Sequence, residues 1–225
     1  MATWMSHLRM ADRLLDIFDG IEKTEFIMGN IAPDSGVPSG DGFSYIPDKN
    51  TSHFKITGTE NHGMFGWWIF KEKYLSPEKI KTYDKKQFSF YIGYLCHLLA
   101  DVQWIESVHI PLKERDTENY KSDKNATIWK WKKDWYDLDH KFIRDNPDFR
   151  AFSIYKNAAD FKNTYLDFFS ETAFSERQAF IVSFYSNIPA DLDREYIWLT
   201  EETMQEYIEK AVDFILEKTA EICLP

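Results

Sequence analysis

Residues 88–105 read FSFYIGYLCHLLADVQWI, and this segment decides the fold. At about 100° per residue, the angle of an α-helix, its aliphatic side chains form one apolar face. The opposite face carries Phe90, Tyr94, His97, Asp101 and Trp104, where a solvent-facing helix would carry lysine and glutamate. The segment therefore predicts a helix with no face toward water, at the centre of an all-α domain.

His97 and Asp101 are the histidine and the carboxylate of that buried helix. A buried ionisable group must be paired, hydrogen-bonded or metal-bound, because leaving it alone costs several kcal/mol. Their i, i+4 spacing directs an imidazole and a carboxylate the same way, as two ligands of one ion require. The spacing is equally compatible with a hydrogen bond between the two residues, or with an arginine held by Asp101.

Capping residues and apolar spacing predict further helices on both sides of this segment. We expect them from Thr3 to Gly20, His62 to Tyr74, Lys85 to Glu106, Thr127 to Arg144, Ala158 to Phe169, Ser175 to Asn187 and from Thr200 onward, with another opening at Ser76. Glycine, proline, aspartate and serine predict an ordered loop from Met28 to Thr59. No low-complexity or Pro/Gly/Ser-rich linker divides the 225 residues, so we expect one domain, 1–225. Its expected architecture is a helical bundle with long loops.

The formal charge of −10 disfavours a stable nucleic-acid partner, because polyanion binding depends on clustered lysine and arginine. A small phosphate substrate remains compatible with it, since a metal ion supplies local positive charge. Cys96 and Cys223 are expected to be reduced. The first residues lack a secretory leader, and no apolar run reaches the roughly 20 residues of a membrane span, so we expect a cytoplasmic protein.

Three more candidate ligands, His7, Asp34 and His53, lie before the central helix. His7 adjoins the apolar stripe of the first helix, where a histidine is more often an ordinary core or boundary residue than a ligand. Asp34 lies in Ala-Pro-Asp-Ser-Gly, which favours a turn residue bonded to its own backbone. His53 has no local explanation, and His62 fits a polar residue at a helix start.

Four stretches together resemble the zinc-dependent phospholipase C family, whose distant relatives include single-strand-specific nucleases with the same helical fold. They are Trp4-Met5-Ser6-His7, Gly29-Asn30-Ile31-Ala32-Pro33-Asp34, Ser52-His53-Phe54 and Gly93 to Asp101. The chain is most similar to an intracellular bacterial hydrolase branch, which also carries segments like Trp135 to Asp139 and Asn146 to Arg150.

The resemblance implies a metal-dependent phosphoester hydrolase that uses a metal-bound hydroxide, with a small phosphate ester or a phospholipid as substrate. It implies that Asp34, His53, His97 and Asp101 bind one zinc, and that Asp101 bridges to a second zinc also bound by His7. Asp34 and Asp101 are then the expected catalytic carboxylates, and one or two zinc ions the expected cofactor.

Two features depart from the family pattern. The secreted relatives use the free amine of a mature amino-terminal tryptophan as a ligand, whereas the Trp4 nitrogen here is in an amide. No His-x-x-x-Glu or His-x-x-x-Asp follows Asp101, so a third metal site is not expected. Asp137 and Asp139 are the favoured substitute ligands; the other available side chains are Glu106, His109 and His140.

Alternative functions stay open at this point. Lys121 to Trp135 interleaves lysine with tryptophan, which suits an anionic headgroup but also an amphipathic helix with a solvated side. A nuclease acting on short single strands could use stacking aromatics. A non-catalytic metal-binding or ligand-binding protein on the same scaffold would explain the missing ligands. The sequence leaves the oligomeric state open.

Overall fold

The computed structural model of the protein describes residues 1–40, 44–56, 58 and 65–222, and it is all-α. Two short antiparallel strands, β1 (Val37–Pro38) and β2 (Tyr45–Ile46), pair Val37 with Ile46. The helices are α1 (Trp4–Leu14), α2 (Lys23–Ile31), α3 (Lys49–Ser52), α4 (Trp67–Tyr74), α5 (Pro77–Ile80), α6 (Lys85–Trp104), α7 (Ile110–Arg115), α8 (Thr117–Ser122), α9 (Lys124–Asp145), α10 (Arg150–Lys156), α11 (Ala173–Ser186) and α12 (Glu201–Thr219). A 3₁₀ turn over Ala32–Asp34 follows α2, and a π-helical segment over Ile105–His109 joins α6 to α7.

Helix α6 lies at the centre of the fold, and every residue from Phe88 to Val102 is buried. Asp84 caps its first turn by accepting a hydrogen bond from the Gln87 amide at 2.7 Å. Helix α12 packs on its other end, where the Tyr207 hydroxyl donates to the Ala100 carbonyl at 3.2 Å. The prediction of a helix without a solvent face is therefore confirmed.

Helices α2 and α6 approach closely at two glycines. A Cβ on Gly29 would overlap the Phe90 carbonyl, and a Cβ on Gly93 would overlap the Phe26 carbonyl. The predicted loop from Met28 to Thr59 is thus wrong at its start, because α2 continues to Ile31 and a 3₁₀ turn follows. Gly29 weakens a helix in isolation, but here it lets two backbones touch, and this packing overrides its low propensity.

The predicted helix from Ala158 to Phe169 is also wrong, because that segment forms turns. The Asn163 side chain accepts the amides of Tyr165 and Leu166 at 3.1 and 3.0 Å. Its amide group donates to the Leu166 and Phe169 carbonyls at 2.6 and 2.8 Å. Asparagine competes for backbone partners in this way, which stabilises turns against helix.

Other boundaries agree with their capping signals. Thr3 caps α1 by accepting from the Ser6 amide at 3.3 Å, and Thr200 caps α12 by accepting from the Thr203 amide at 3.1 Å. Helix α4 begins at Trp67, whereas the predicted start at His62 lies outside the described residues. Among the described residues, no helix is both long and apolar enough to cross a bilayer.

Candidate metal centre

Five side chains from four regions of the chain meet beside the middle of α6. His7 comes from the first turns of α1, and His97 and Asp101 come from successive turns of α6. Asp34 ends the 3₁₀ turn after α2, and His53 directly follows α3. All five are buried.

The ligand atoms of these residues form two groups, each within 4.8 Å. One group is His7, His97 and Asp101, and the other is Asp34, His53 and His97. The Asp101 oxygens lie 3.6 Å from His7 Nε2, 3.5 Å from His53 Nε2 and 3.7 Å from His97 Nε2. His97 Nε2 and His53 Nε2 are 3.4 Å apart, and His53 Nε2 is 3.6 Å from Asp34 Oδ1.

These separations are longer than ordinary hydrogen bonds, which place donor and acceptor at about 2.7–3.2 Å. Ligands about 2.0–2.1 Å from a tetrahedral zinc are themselves about 3.3–3.4 Å apart. Both ring nitrogens of His7 and the Oδ2 atom of Asp101 are buried with no hydrogen-bond partner among the described residues. Buried polar atoms are nearly always satisfied, and these atoms are placed to share one ligand such as a metal ion.

Neighbouring groups orient two of the imidazoles. His97 Nδ1 lies 2.7 Å from the Asn30 carbonyl oxygen, so it carries the proton and leaves the Nε2 lone pair facing the cluster. His53 Nδ1 lies 3.0 Å from the Ser52 hydroxyl. Phe54, the next residue, has a φ of 51°, which is unusual for a bulky side chain and holds the turn that places His53.

The electrostatics of the cluster favour a cation. Burial lowers the pKa of His53 to about 4 and that of His97 well below its ordinary value, so both rings are neutral near pH 7. Burial opposes ionisation of Asp101, yet the adjacent His7 side chain and the nearby amino terminus hold its pKa well below the usual range. Neutral imidazoles beside buried carboxylates are the donor set that suits zinc, and the residues therefore fit the metal.

Asp34 is balanced by a lysine that sequence reasoning missed. Lys49 Nζ lies 3.2 Å from Asp34 Oδ1, and against the effect of burial it lowers the pKa of that carboxyl. Lys49 stands at the start of α3, where only the fold brings it to Asp34. The Asn30 carbonyl was also missed as a partner, although Asn30 lies within one of the stretches that carry the resemblance.

The two favoured substitute ligands have other partners. Asp137 accepts from Arg194 and Lys133, each at 2.6 Å. Asp139 accepts from the Thr3 hydroxyl at 3.0 Å and the Tyr185 hydroxyl at 2.8 Å. Neither belongs to the two groups found among the described residues, and a ligand role for either stays a prediction.

Two cavities open beside Asp34, with volumes of about 410 and 290 Å³. Asp34, Trp4, Lys49, Lys132 and Tyr136 line both. The buried donors thus lie next to space for a small substrate. His109 lines the larger cavity, whereas His62 lies outside the described residues.

The family model for zinc-dependent phospholipase C matches residues 6–179. The chain belongs to this family. No curated protein and no solved structure matched the chain. Membership of a zinc-dependent phospholipase C family, together with histidine and aspartate groups that could hold a metal, indicates a metal-dependent phosphoesterase.

Proposed function

We propose that the protein hydrolyses a phosphoester with zinc held by His7, Asp34, His53, His97 and Asp101. The observation that carries the proposal is the buried convergence of these donors, with unpartnered atoms on His7 and Asp101, beside a cavity that Asp34 lines. The family adds that the phosphoester is the expected substrate class. A cytoplasmic location and a single domain over 1–225 stay predictions.

Asp101 would hold zinc together with the neighbouring histidines, because its oxygens lie 3.5–3.7 Å from the Nε2 atoms of His7, His53 and His97. The Ala2 amide donates to Asp101 Oδ1 at 2.9 Å and fixes the plane of the carboxylate. When bound, zinc would polarise a phosphoryl oxygen and lower the pKa of water to about 7. Asp34 lines the cavity and is the carboxylate through which the substrate would meet the centre.

The protein's own side chains supply orientation and shielding. Lys49 holds Asp34 at the edge of the cavity, and Asn30 keeps the His97 ring in one tautomer. Trp135 and Tyr136 line the cavity and limit access of bulk water to the reacting phosphate. Each of these electrostatic contacts is stronger where bulk water is excluded, because the effective dielectric constant there is lower.

Elemental analysis of protein prepared without chelator, combined with turnover of a chromogenic phosphodiester, tests the proposal. We expect one or two zinc ions per chain and turnover that chelation abolishes. The Asp101→Asn variant should lose the bound zinc and the turnover. Asp116→Asn is the matched control, because Asp116 is also a buried carboxylate but bonds to Trp131 at 3.0 Å, away from the centre.

Each alternative function has its own outcome in this assay. Stoichiometric zinc without turnover would support a non-catalytic metal-binding protein. Cleavage of a short single-stranded oligonucleotide, with no turnover of small diesters, would support a nuclease. Absence of transition metal, with none taken up on titration, would refute the assignment of the centre.

A further inference from the structure

The larger cavity beside Asp34 differs in charge from the rest of the protein. Four lysines line it, Lys49, Lys55, Lys124 and Lys132, against the single carboxylate of Asp34 among its described lining residues. The chain as a whole has a formal charge of −10. A local reversal of sign in a cavity concentrates an anionic ligand there even when the average field repels it.

Two of these lysines are half-buried in the cavity wall without an acidic partner. Neither Lys55 nor Lys132 forms an ion pair with any carboxylate in the described part of the chain. Their ammonium groups lie over aromatic rings instead, Lys55 over Phe65 at 5.6 Å and Lys132 over Trp129 at 4.6 Å. Both side chains are only partly exposed, so each ammonium has lost part of its surrounding water without gaining a carboxylate partner.

Asp34, the one carboxylate among the described lining residues, does not neutralise these two lysines, because it is already paired with Lys49 at 3.2 Å. Lys49 therefore adds a further positive charge to the wall of the same cavity. Like charges held around one space destabilise the free protein unless an anion enters. The arrangement therefore suits a ligand group with more than one negative charge.

We propose that the substrate carries a second phosphate group, which Lys55 and Lys132 bind in this cavity while its phosphodiester lies at Asp34. The proposal rests on the proposed function and adds the substrate class. It predicts selection against a cationic headgroup such as choline, which would meet the same lysines. The second phosphate could belong to a soluble phosphodiester or to a lipid headgroup.

Three soluble phosphodiesters that differ in headgroup charge test this: glycerophosphocholine, glycerophosphoinositol, and glycerophosphoinositol carrying a further phosphate on its ring. With the zinc-loaded protein, we expect KM to fall along that series, by about 10-fold or more for the added phosphate, the size of a charge-assisted hydrogen bond. The advantage should shrink as ionic strength rises. Equal KM values would overturn the proposal while leaving phosphodiester hydrolysis intact.

Substitutions separate the lysines from general surface charge. Lys55→Gln and Lys132→Gln should each remove most of the preference for the further phosphate. Lys121→Gln is the control, because Lys121 is exposed on α8, pairs with Glu118 at 3.8 Å and lies outside the cavity lining. If Lys121→Gln reduces the preference as much as Lys132→Gln does, long-range attraction explains it and the subsite is refuted.

Calorimetric binding of the same three compounds distinguishes failure of catalysis from failure of the subsite. Preferential binding of the phosphorylated compound without turnover would refute hydrolysis but support the anion subsite. No preference in binding or in turnover would refute the subsite. Phosphatidylcholine vesicles containing phosphorylated phosphatidylinositol show whether the second phosphate belongs to a lipid or to a soluble substrate. Turnover of the vesicle lipid but not of the soluble compound indicates a lipid headgroup. Equal turnover of the soluble compound indicates a soluble substrate.

Discussion

Replacing Gly93 by alanine tests how the fold positions the metal centre. Gly93 lies where α6 meets α2, and an added Cβ would overlap the Phe26 carbonyl oxygen. It would also lie 3.0 Å from the carbonyl carbon of Phe26 and 3.1 Å from the Asn30 nitrogen. The obstacles are backbone atoms of a helix, so the two helices must separate.

Overpacking of this kind costs about 1–3 kcal/mol. For a chain of this size, each kcal/mol lowers Tm by about 2–4 °C, so we expect a decrease between about 2 and about 12 °C. Separation also moves the Asn30 carbonyl away from His97 Nδ1, now 2.7 Å distant. Loss of such a supporting hydrogen bond weakens metal binding by about 10–100-fold.

Thermal unfolding and zinc titration of the variant measure both effects. Gly40→Ala is the matched control, because a Cβ at Gly40 meets nothing within 4 Å. We expect that variant to keep the wild-type Tm and zinc affinity. If Gly93→Ala unfolds at the wild-type temperature and keeps its zinc, close contact of α2 with α6 does not position the centre.

Three further predictions concern buried charges. Asp101→Asn should weaken zinc retention more than His7→Ala does, by upward of about 100-fold, because the carboxylate faces three imidazoles. Elemental analysis measures the zinc content of both variants. Loss of zinc from His7→Ala but not from Asp101→Asn would contradict this prediction. Burial raises the pKa of Asp139 from 3.8 to about 7, so the folded state retains a proton that the unfolded chain releases, and the free energy of unfolding loses roughly 4 kcal/mol as pH rises from about 4 to about 7. Urea unfolding should show Asp139→Asn without that loss, and parallel pH profiles for the variant and the wild type would contradict the raised pKa. Arg194→Leu should cost about 1.5–3 kcal/mol in chemical unfolding, since it removes a 2.7 Å bond to the buried Asp134 carboxylate; a change below about 0.5 kcal/mol would show that the pair does not stabilise the fold.

Much of the fold could be predicted because helix signals are local. Apolar spacing and capping residues identified α6, the caps at Thr3 and Thr200, and the absence of a solvent face around His97. The segment after α10 could not be predicted in this way, because its aromatic content suits a buried turn as well as a helix. The side chain of Asn163 decides between them.

Residue type and periodicity by themselves determined that His97 and Asp101 lie on one buried face and need partners. Local chemistry left His7 and Asp34 with ordinary alternatives and gave no explanation of His53, and only a resemblance joined the three. Their convergence was decided by the tertiary structure, which packs α2 closely against α6 at Gly29 and Gly93 and so brings Asp34 toward His97. Local spacing carries no information about such distant pairs.

The surroundings of the centre were also decided only by packing. Lys49 and Lys132 belong to helices far apart in sequence. The chain pattern predicts a loop around Lys49 and favours an amphipathic helix with a solvated side around Lys132. The fold turns both toward one cavity, and it places Arg194 against Asp137 at 2.6 Å. The energy of a charge depends on its burial and its neighbours in space, and spacing along the chain determines neither.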